Sequence, residues 1–128
     1  MKLQPDQMDV QAVTAYDKEW IAINGEKHHS SLLISSEGLK ETWGLLSPLQ
    51  LSPKHLEQLI GLKDKGIELV ILGSGQKLQF MPKHWLQTFN SKQLGFETMD
   101  TPAACRTYNI LAGEGRKVAA LLLIESPI

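Results

Sequence analysis

The second half of the chain alternates apolar runs with stretches of helical periodicity. Two nearly continuous apolar runs, at 67–73 and 118–124, are typical of strands covered on both faces, and a shorter strand is predicted at 96–100. Between the strands at 67–73 and 96–100, a helix is predicted from about Pro82 to Gln93, with Trp85, Leu86 and Phe89 buried. The pattern therefore alternates strand and helix.

Start and stop signals place the helices more closely. Ser52 followed by Pro53 is typical of an N-cap and a first helical residue, and Gly66 supplies the left-handed position after the helix. Gly95 is expected to end the second helix in the same way. A third helix is predicted to begin at Pro102, capped by the hydroxyl of the residue before it.

The first third of the chain predicts antiparallel strands instead. Apolar runs at 20–23 and 31–35 flank Asn24 and Gly25, which both tolerate the positive φ of a tight turn. The second run lies farther away than a two-residue hairpin requires, so the register stays open. Residues 15–20 are expected to close an earlier hairpin that starts at Val13.

The order strand, helix, strand, helix, strand predicts an α/β fold. Short crossovers of this kind give a mostly parallel central sheet with helices packed on it, because they are nearly always right-handed. The N-terminal antiparallel strands either extend this sheet or cover part of it. We expect one domain over 1–128, with its core at about 13–124 and a flexible segment at 1–12.

Composition narrows the function classes. The formal net charge of −1 gives no electrostatic reason to expect nucleic acid or anionic lipid. One cysteine cannot form an internal disulfide, and the N-terminus lacks the pattern of a signal or transit peptide. The run at 118–124 is far too short to span a bilayer. We therefore expect a cytoplasmic protein that is not an integral membrane protein.

Two loops are predicted to meet at one edge of the sheet. Ligands of open parallel sheets bind outside the carboxyl ends of the strands. One such end carries Gly73, Ser74 and Gly75, and the next carries Thr101. The rival interpretation of the glycine pair is a flexible turn, since it lacks the spacing of a phosphate-binding loop.

The third helix carries the residues with the most distinctive chemistry. Its free N–H groups form a small anion-binding geometry, beside which Arg106 adds a fork suited to carboxylate or phosphate. Cys105 lies in the first turn, where this charge favours the thiolate, and Asn109 lies one turn farther. The alternatives are a buried, inert Cys105 and an Arg106 that forms a structural ion pair with Glu114 or Asp100.

The remaining polar and aromatic residues predict no metal site and no cofactor. His28 and His29 are adjacent, and adjacent strand residues point to opposite faces, which argues against shared metal ligation. Trp20 and Trp43 are candidates for an exposed contact surface.

The segments "ILGSGQ" at 71–76, "GLLSPLQLSP" at 44–53 and "DTPAACRTYNILAGEGRKVAALLLI" at 100–124 resemble a known family. It is a bacterial and archaeal single-domain family of unknown biochemical function, related to a mitochondrial complex I assembly factor and an adipogenesis-associated protein. The resemblance implies a three-layer α/β sandwich without an established enzymatic activity. The mitochondrial relative is similar at Cys105 but is not basic at the position of Arg106, whereas many bacterial members resemble this chain in carrying both.

Two functions follow as hypotheses. The first, which we prefer, is a non-catalytic binding module that contacts another protein and helps assemble a membrane respiratory complex. The alternative is a small enzyme or a binder of a small anionic ligand. In it, Cys105 is the nucleophile or a redox thiol, Arg106 is the anion clamp and the amides of residues 73–75 are an auxiliary cradle.

Overall fold

The protein, described from a computed structural model over residues 10–125, contains eight strands, three α-helices and two short 3-10 helices. The strands are β1 (Val13–Tyr16), β2 (Ile21–Ile23), β3 (Glu26–His28), β4 (Leu32–Ser35), β5 (Lys40–Thr42), β6 (Leu69–Gly73), β7 (Gly95–Met99) and β8 (Val118–Leu122). The helices are α1 (Pro53–Gly61), α2 (Lys83–Ser91) and α3 (Thr101–Gly113), and the 3-10 helices lie at Pro48–Gln50 and Leu62–Lys65.

A five-stranded sheet with the order β5-β4-β8-β6-β7 forms the centre of the fold. β6 pairs in parallel with both β7 and β8, whereas β4 pairs antiparallel with both β5 and β8. Consequently β5, β6, β7 and β8 all run in the same direction, and β4 runs against them. The α/β prediction is confirmed, with two antiparallel pairs completing the parallel part.

The N-terminal strands both extend the central sheet and cover part of it, the two arrangements that the sequence left open. β4 and β5 extend the large sheet, while β1, β2 and β3 form a separate antiparallel sheet. Asn24 (φ 49°) and Gly25 (φ 88°) form the predicted tight turn, and Ile23 pairs with Glu26 across it. The hairpin partner is thus β3, a short polar strand without an apolar pattern to reveal it.

Packing on both faces of the large sheet gives three layers. On one face, α1 and α2 bury Leu59, Trp85 and Phe89 against strand residues such as Val70. The expected burial of Leu86 is wrong, since its side chain is 40% exposed. On the other, α3 and the small sheet cover a second cluster that includes Ile71. Neighbouring residues of β6 therefore enter opposite cores, which explains why its sequence shows no polar alternation.

The helix ends agree with the start and stop signals at some positions and differ at others. Gly66 adopts the predicted left-handed conformation, with φ of 90°. After α2, however, the left-handed residue is Gln93 (φ 56°), and Gly95 is already the first residue of β7. A Cβ on Gly95 would lie 2.9 Å from a Leu69 methyl group and 3.2 Å from the Glu68 carbonyl oxygen, so this glycine allows close packing of the strand rather than a left-handed helix end.

The expected flexible segment at 1–12 lies mostly outside the described residues. Its last two residues, however, are held in place. The Gln11 side-chain amide donates to the carbonyl of Ser35 at 3.0 Å, and the Ala12 amide donates to Asn24 Oδ1 at 2.9 Å. Ala12 is also buried. The prediction is therefore wrong for Gln11 and Ala12, which belong to the packed fold.

Two glycine substitutions should separate close packing from backbone freedom. A Cβ on Gly73 would lie 3.0 Å from the Ala104 Cβ and 3.1 Å from the Thr101 Cα, whereas nothing lies within 4 Å of a Cβ on Gly61. We expect Gly73→Ala to lower the free energy of unfolding by about 1–3 kcal/mol. Gly61→Ala, the matched control in α1, should raise it by up to about 1 kcal/mol. Urea unfolding measures both, and equal stability of the two variants would contradict the packing argument.

Candidate functional site

The two predicted loops do meet at one edge of the large sheet. Parallel pairing of β6 with β7 brings Gly73 opposite Met99, so the chain leaves both strands side by side. Two backbone hydrogen bonds of 2.8 Å then join the exits, from the Ser74 amide to the Met99 carbonyl and from the Thr101 amide to the Gly75 carbonyl. The predicted proximity of these loops is present in the structure.

Thr101 is the centre of this joint. Its hydroxyl donates to the Leu123 carbonyl at 2.7 Å and accepts from the Gly75 amide at 2.9 Å. The side chain therefore ties α3 to the exits of both β6 and β8. It does not cap the helix as predicted, because Asp100 is the N-cap and accepts from the Ala103 amide through Oδ1 at 2.8 Å.

The predicted amide cradle is satisfied by the protein itself. The Asp100 carboxylate occupies the position in front of the α3 N-terminus that an anionic ligand would take. In the neighbouring loop the Gln76 amide donates to Glu125 Oε1 at 2.8 Å. The amides of Ser74 and Gly75 donate to Met99 and Thr101. The prediction of an open anion cradle is therefore wrong, since these donors already have acceptors.

Glycine at position 75 serves the contact with Glu125. Its φ of 112° is strained for residues with a side chain, and a Cβ would lie 2.1 Å from the Glu125 Oε1. Ser74 is fully buried, and its hydroxyl donates to the Lys77 carbonyl at 2.9 Å and accepts from the Gln79 amide at 2.9 Å. The glycine-flanked loop is thus a closed turn rather than a ligand cradle.

Cys105 has no exposed surface and packs in the core beneath α3. Burial raises the pKa of its thiol from 9.0 to about 12, and this effect outweighs the opposite influence of the Arg106 charge. The thiol is therefore protonated at neutral pH and shielded from reagents. The structure therefore agrees with the interpretation of Cys105 as a buried core residue, and does not offer the exposed thiol that the alternative function requires.

Arg106, the next residue of α3, is exposed. Its Nη1 donates to the Tyr16 hydroxyl at 2.8 Å, which connects α3 to the end of β1. The predicted alternative partners were carboxylates, Glu114 and Asp100, whereas the observed contact is with a phenol. Arg106 and Cys105 thus face different environments and do not form one site.

Asn109 links the small sheet to α3. Its side-chain oxygen accepts from the Val13 amide at 2.9 Å, and its side-chain amide donates to the Val13 carbonyl at 2.7 Å. From the preceding residue of the same helix, the Tyr108 hydroxyl donates to the Gln11 carbonyl at 2.7 Å. Asn109 acts here as a backbone mimic that gives β1 a hydrogen-bonding neighbour.

A small open cavity of about 160 Å³ remains beside this joint. Its lining is Tyr16, Asp17, Lys18, Gln76, Thr101 and Pro102. Thr101 is the one predicted site residue in that lining, and its hydroxyl is already engaged on both sides. Cys105 and Arg106 do not line the cavity, so it does not unite them with the loop exits in one site.

The remaining candidate residues are the histidines, considered as metal ligands, and the tryptophans, considered as a contact surface. Within residues 10–125, no three His, Cys, Asp or Glu side chains are placed to share a metal ion. Trp20 lies under the Lys27 ammonium group, 4.3 Å from the ring centroid. Trp43 packs against the His55 ring at 4.9 Å. Both tryptophans are only partly exposed, and the most exposed large apolar residues are instead Leu49 and Phe80.

The sequence contains one signal for the surface that carries Leu49 and Phe80. The tripeptide Pro-Lys-His occurs at the starts of both α1 (53–55) and α2 (82–84, with Pro82 as the N-cap), and basic residues are unusual at the positive end of a helix. The repeated tripeptide therefore identifies two helices whose N-termini carry a positive charge that is unfavourable for the helix dipole. It predicts neither that they lie side by side nor that exposed apolar residues surround them.

Comparison with known proteins assigns the chain to a family. Residues 13–123 match a family described as "Protein of unknown function (DUF498/DUF598)". The chain belongs to the DUF498 family. This confirms the resemblance seen in the sequence, and the matched range contains every predicted site residue.

The DUF498 chain has curated relatives named NADH dehydrogenase (ubiquinone) 1 alpha subcomplex assembly factor 3. The Homo sapiens protein is 26% identical over 121 residues, which cover 94% of this chain and 65% of the human protein. The Bos taurus protein is 24% identical over 111 residues, which cover 87% of this chain and 59% of the bovine protein. The chain therefore spans only about three fifths of the length of these assembly factors.

Solved structures of bacterial proteins share the fold. A crystal structure from Bordetella parapertussis has a TM-score of 0.81 at 31% identity, covering 91% of this chain and 97% of that one. A solution structure from Bordetella pertussis, described as an Mth938-like domain, has a TM-score of 0.81 at 27% identity and covers 98% and 94%. Across residues 10–125, no helix of the DUF498 chain is both long and apolar enough to span a bilayer.

Removing the Thr101 hydroxyl should destabilise the joint. In Thr101→Val, which keeps the side-chain shape, the Gly75 amide and the Leu123 carbonyl both lose a partner. We expect a loss of about 2–4 kcal/mol in the free energy of unfolding, measured by urea denaturation. Thr101→Ser keeps the hydroxyl and should lose less than about 1 kcal/mol. A loss in Thr101→Ser as large as that in Thr101→Val would contradict the assignment of this stability to the hydroxyl.

Alkaline pH should destabilise the protein through Cys105. The unfolded thiol ionises near 9.0, whereas the folded one keeps its proton until about 12. Between these values folding takes up a proton, so the free energy of unfolding falls as the pH rises. From neutral pH to about pH 10.5, we expect Cys105→Ala to lose about 2 kcal/mol less stability than the wild type.

The Tyr108 hydroxyl adds to this effect in both proteins, because burial also raises its pKa above the ordinary 10.0. Urea unfolding at a series of pH values measures the difference between wild type and Cys105→Ala. Parallel stability profiles, or rapid alkylation of the folded wild type by iodoacetamide at neutral pH, would contradict the buried, protonated thiol.

Proposed function

We propose that this chain is a non-catalytic binding module of the cytoplasm that helps assemble a membrane-bound respiratory complex through contact with another protein. The observation that carries the proposal is the burial of Cys105, the one cysteine in the sequence, which also raises the pKa of its thiol. Nucleophilic catalysis requires an accessible thiolate, and this thiol is neither accessible nor ionised.

The hydrogen bonds around the candidate site support the same conclusion. Catalysis by electrostatic stabilisation needs donors that are free to meet the charge that develops on a substrate. At this edge the amides of residues 74–76 and 103 all donate to protein acceptors. The backbone amides that were expected to bind an anion thus hold the two loops and α3 together.

The curated relatives support a role in the assembly of a respiratory complex. Two of them carry the name of an assembly factor for NADH dehydrogenase, and the match includes most of this chain. Because the chain spans only part of those proteins, the transfer of their role to it belongs to the proposal. An assembly role requires a surface for a partner rather than an active site, in keeping with the internally satisfied polar groups.

Genetic complementation tests this function. In a host that carries this chain and a membrane NADH dehydrogenase, deletion of the gene should lower the amount of assembled complex on native gels of the membranes. NADH oxidation by the same membranes should fall in proportion. Cys105→Ala should restore both quantities to the wild-type level, since we assign the thiol no chemical role.

Two controls give the test its discrimination. Thr101→Val, which weakens the fold, should complement less well than Thr101→Ser, so the assay must respond to loss of the folded protein. A normal amount of complex in the deletion strain would contradict the assembly role. Failure of Cys105→Ala to complement, despite stability close to that of the wild type, would instead favour the enzymatic alternative.

A further inference from the structure

Five large apolar side chains are exposed on the segments that follow β5 and β6. Leu49 is 91% exposed and Phe80 is 73% exposed, so both protrude from the surface rather than lining a packed face. Isolated exposed leucines are ordinary in proteins, but a group on neighbouring segments is not. The members of the group are Leu46, Leu49, Leu78, Phe80 and Leu86.

The sheet topology places these segments on one edge. β5 and β6 run in the same direction and are separated by β4 and β8, which sets their exits about 14 Å apart. The helices that follow, α1 and α2, both pack on the same face of the sheet. The Ser31 hydroxyl, which donates to the Leu45 carbonyl and accepts from the Ile124 amide, fixes the first segment against the exit of β8.

The same segments are basic. The ranges 42–56 and 69–96 contain no Asp or Glu. They carry Lys54, Lys77, Lys83 and His84, all exposed, at or near the N-termini of α1 and α2. The partial positive charge of a helix N-terminus normally favours acidic residues there, so lysine at both starts concentrates positive potential.

We call this surface the loop rim: Leu46, Leu49, Leu78, Phe80 and Leu86, with Lys54, Lys77, Lys83 and His84. The carboxylates that border this surface come from outside those two ranges. Glu125 is engaged by the Gln76 amide, and Glu57 lies one turn farther into α1. The net charge of −1 therefore conceals a segregation of charge, and the argument from overall charge against anionic lipid does not apply to this surface.

We propose that the loop rim docks on the surface of an anionic lipid bilayer, with Leu49 and Phe80 inserted among the headgroups and the lysines against the lipid phosphates. Protruding apolar tips ringed by lysine suit the interfacial layer, where apolar groups are buried and ammonium groups stay hydrated. Protein interfaces, by contrast, are depleted in lysine, and leucine rarely dominates their binding energy. These preferences favour a bilayer over an acidic protein as the occupant.

Vesicle binding by the purified protein tests the proposal. At physiological ionic strength, the protein should float with vesicles of phosphatidylcholine and phosphatidylglycerol, and bind vesicles of phosphatidylcholine alone at least about tenfold more weakly. Lys77→Gln and Lys83→Gln should each lower the partition coefficient about fivefold. Phe80→Ala and Leu49→Ala should each lower it about tenfold, since an inserted side chain is lost.

Matched controls lie elsewhere on the molecule. Ile110 is 57% exposed on α3, and Lys65 is exposed at the far end of the segment that follows α1. Ile110→Ala and Lys65→Gln should bind anionic vesicles as the wild type does. In addition, the fluorescence of Leu49→Trp should be quenched by brominated lipid in the vesicles, while that of Ile110→Trp should not change beyond the quenching of the native tryptophans.

Several outcomes would overturn the proposal. These are equal binding to neutral and anionic vesicles, unchanged binding of the loop-rim variants, or absence of binding to either vesicle. In the last case, cross-linking from position 80 to an acidic protein would identify a protein as the occupant instead. The assay contains only this protein and lipid, so its result is independent of whether the chain assembles a respiratory complex.

Discussion

The central strands β6 and β8 are apolar on both faces, and the fold depends on covering both. Val70 and Leu72 face one core, whereas Ile71 faces the other. Two helices cover the first face, but α3 alone leaves part of the second face for the small N-terminal sheet. Burial of apolar surface on this scale is the largest favourable contribution to folding, so the position of every other element follows from it.

Covering the second face determines the fate of the candidate site. α3 must approach the sheet closely, which places Cys105 and Tyr108 inside the core and requires glycine at position 73. Polar groups buried by this approach need partners, and Thr101, Asp100 and Glu125 provide them. The packing that brings the two loops together therefore also pairs their hydrogen-bond donors with acceptors of the protein.

Both proposals depend on the outer surface of the protein. The chain belongs to the DUF498 family and has assembly factors among its relatives. The apolar residues that the core does not take are concentrated at one edge, on segments that carry lysine and lack carboxylates. A membrane-docking edge and a non-catalytic role in assembling a membrane complex are compatible, although each depends on a different observation.

The sequence by itself determined the order of strands and helices, the Asn24–Gly25 turn, the left-handed Gly66 and the common direction of β6 and β7. These features depend on local periodicity and on backbone preferences, which neighbouring residues encode. It did not determine that Cys105 is sealed in the core. That depends on β1, which Asn109 binds across 96 positions of the chain. Exposure, pKa and surface charge are sums over residues that are distant in sequence, and for that reason only the tertiary structure decided them.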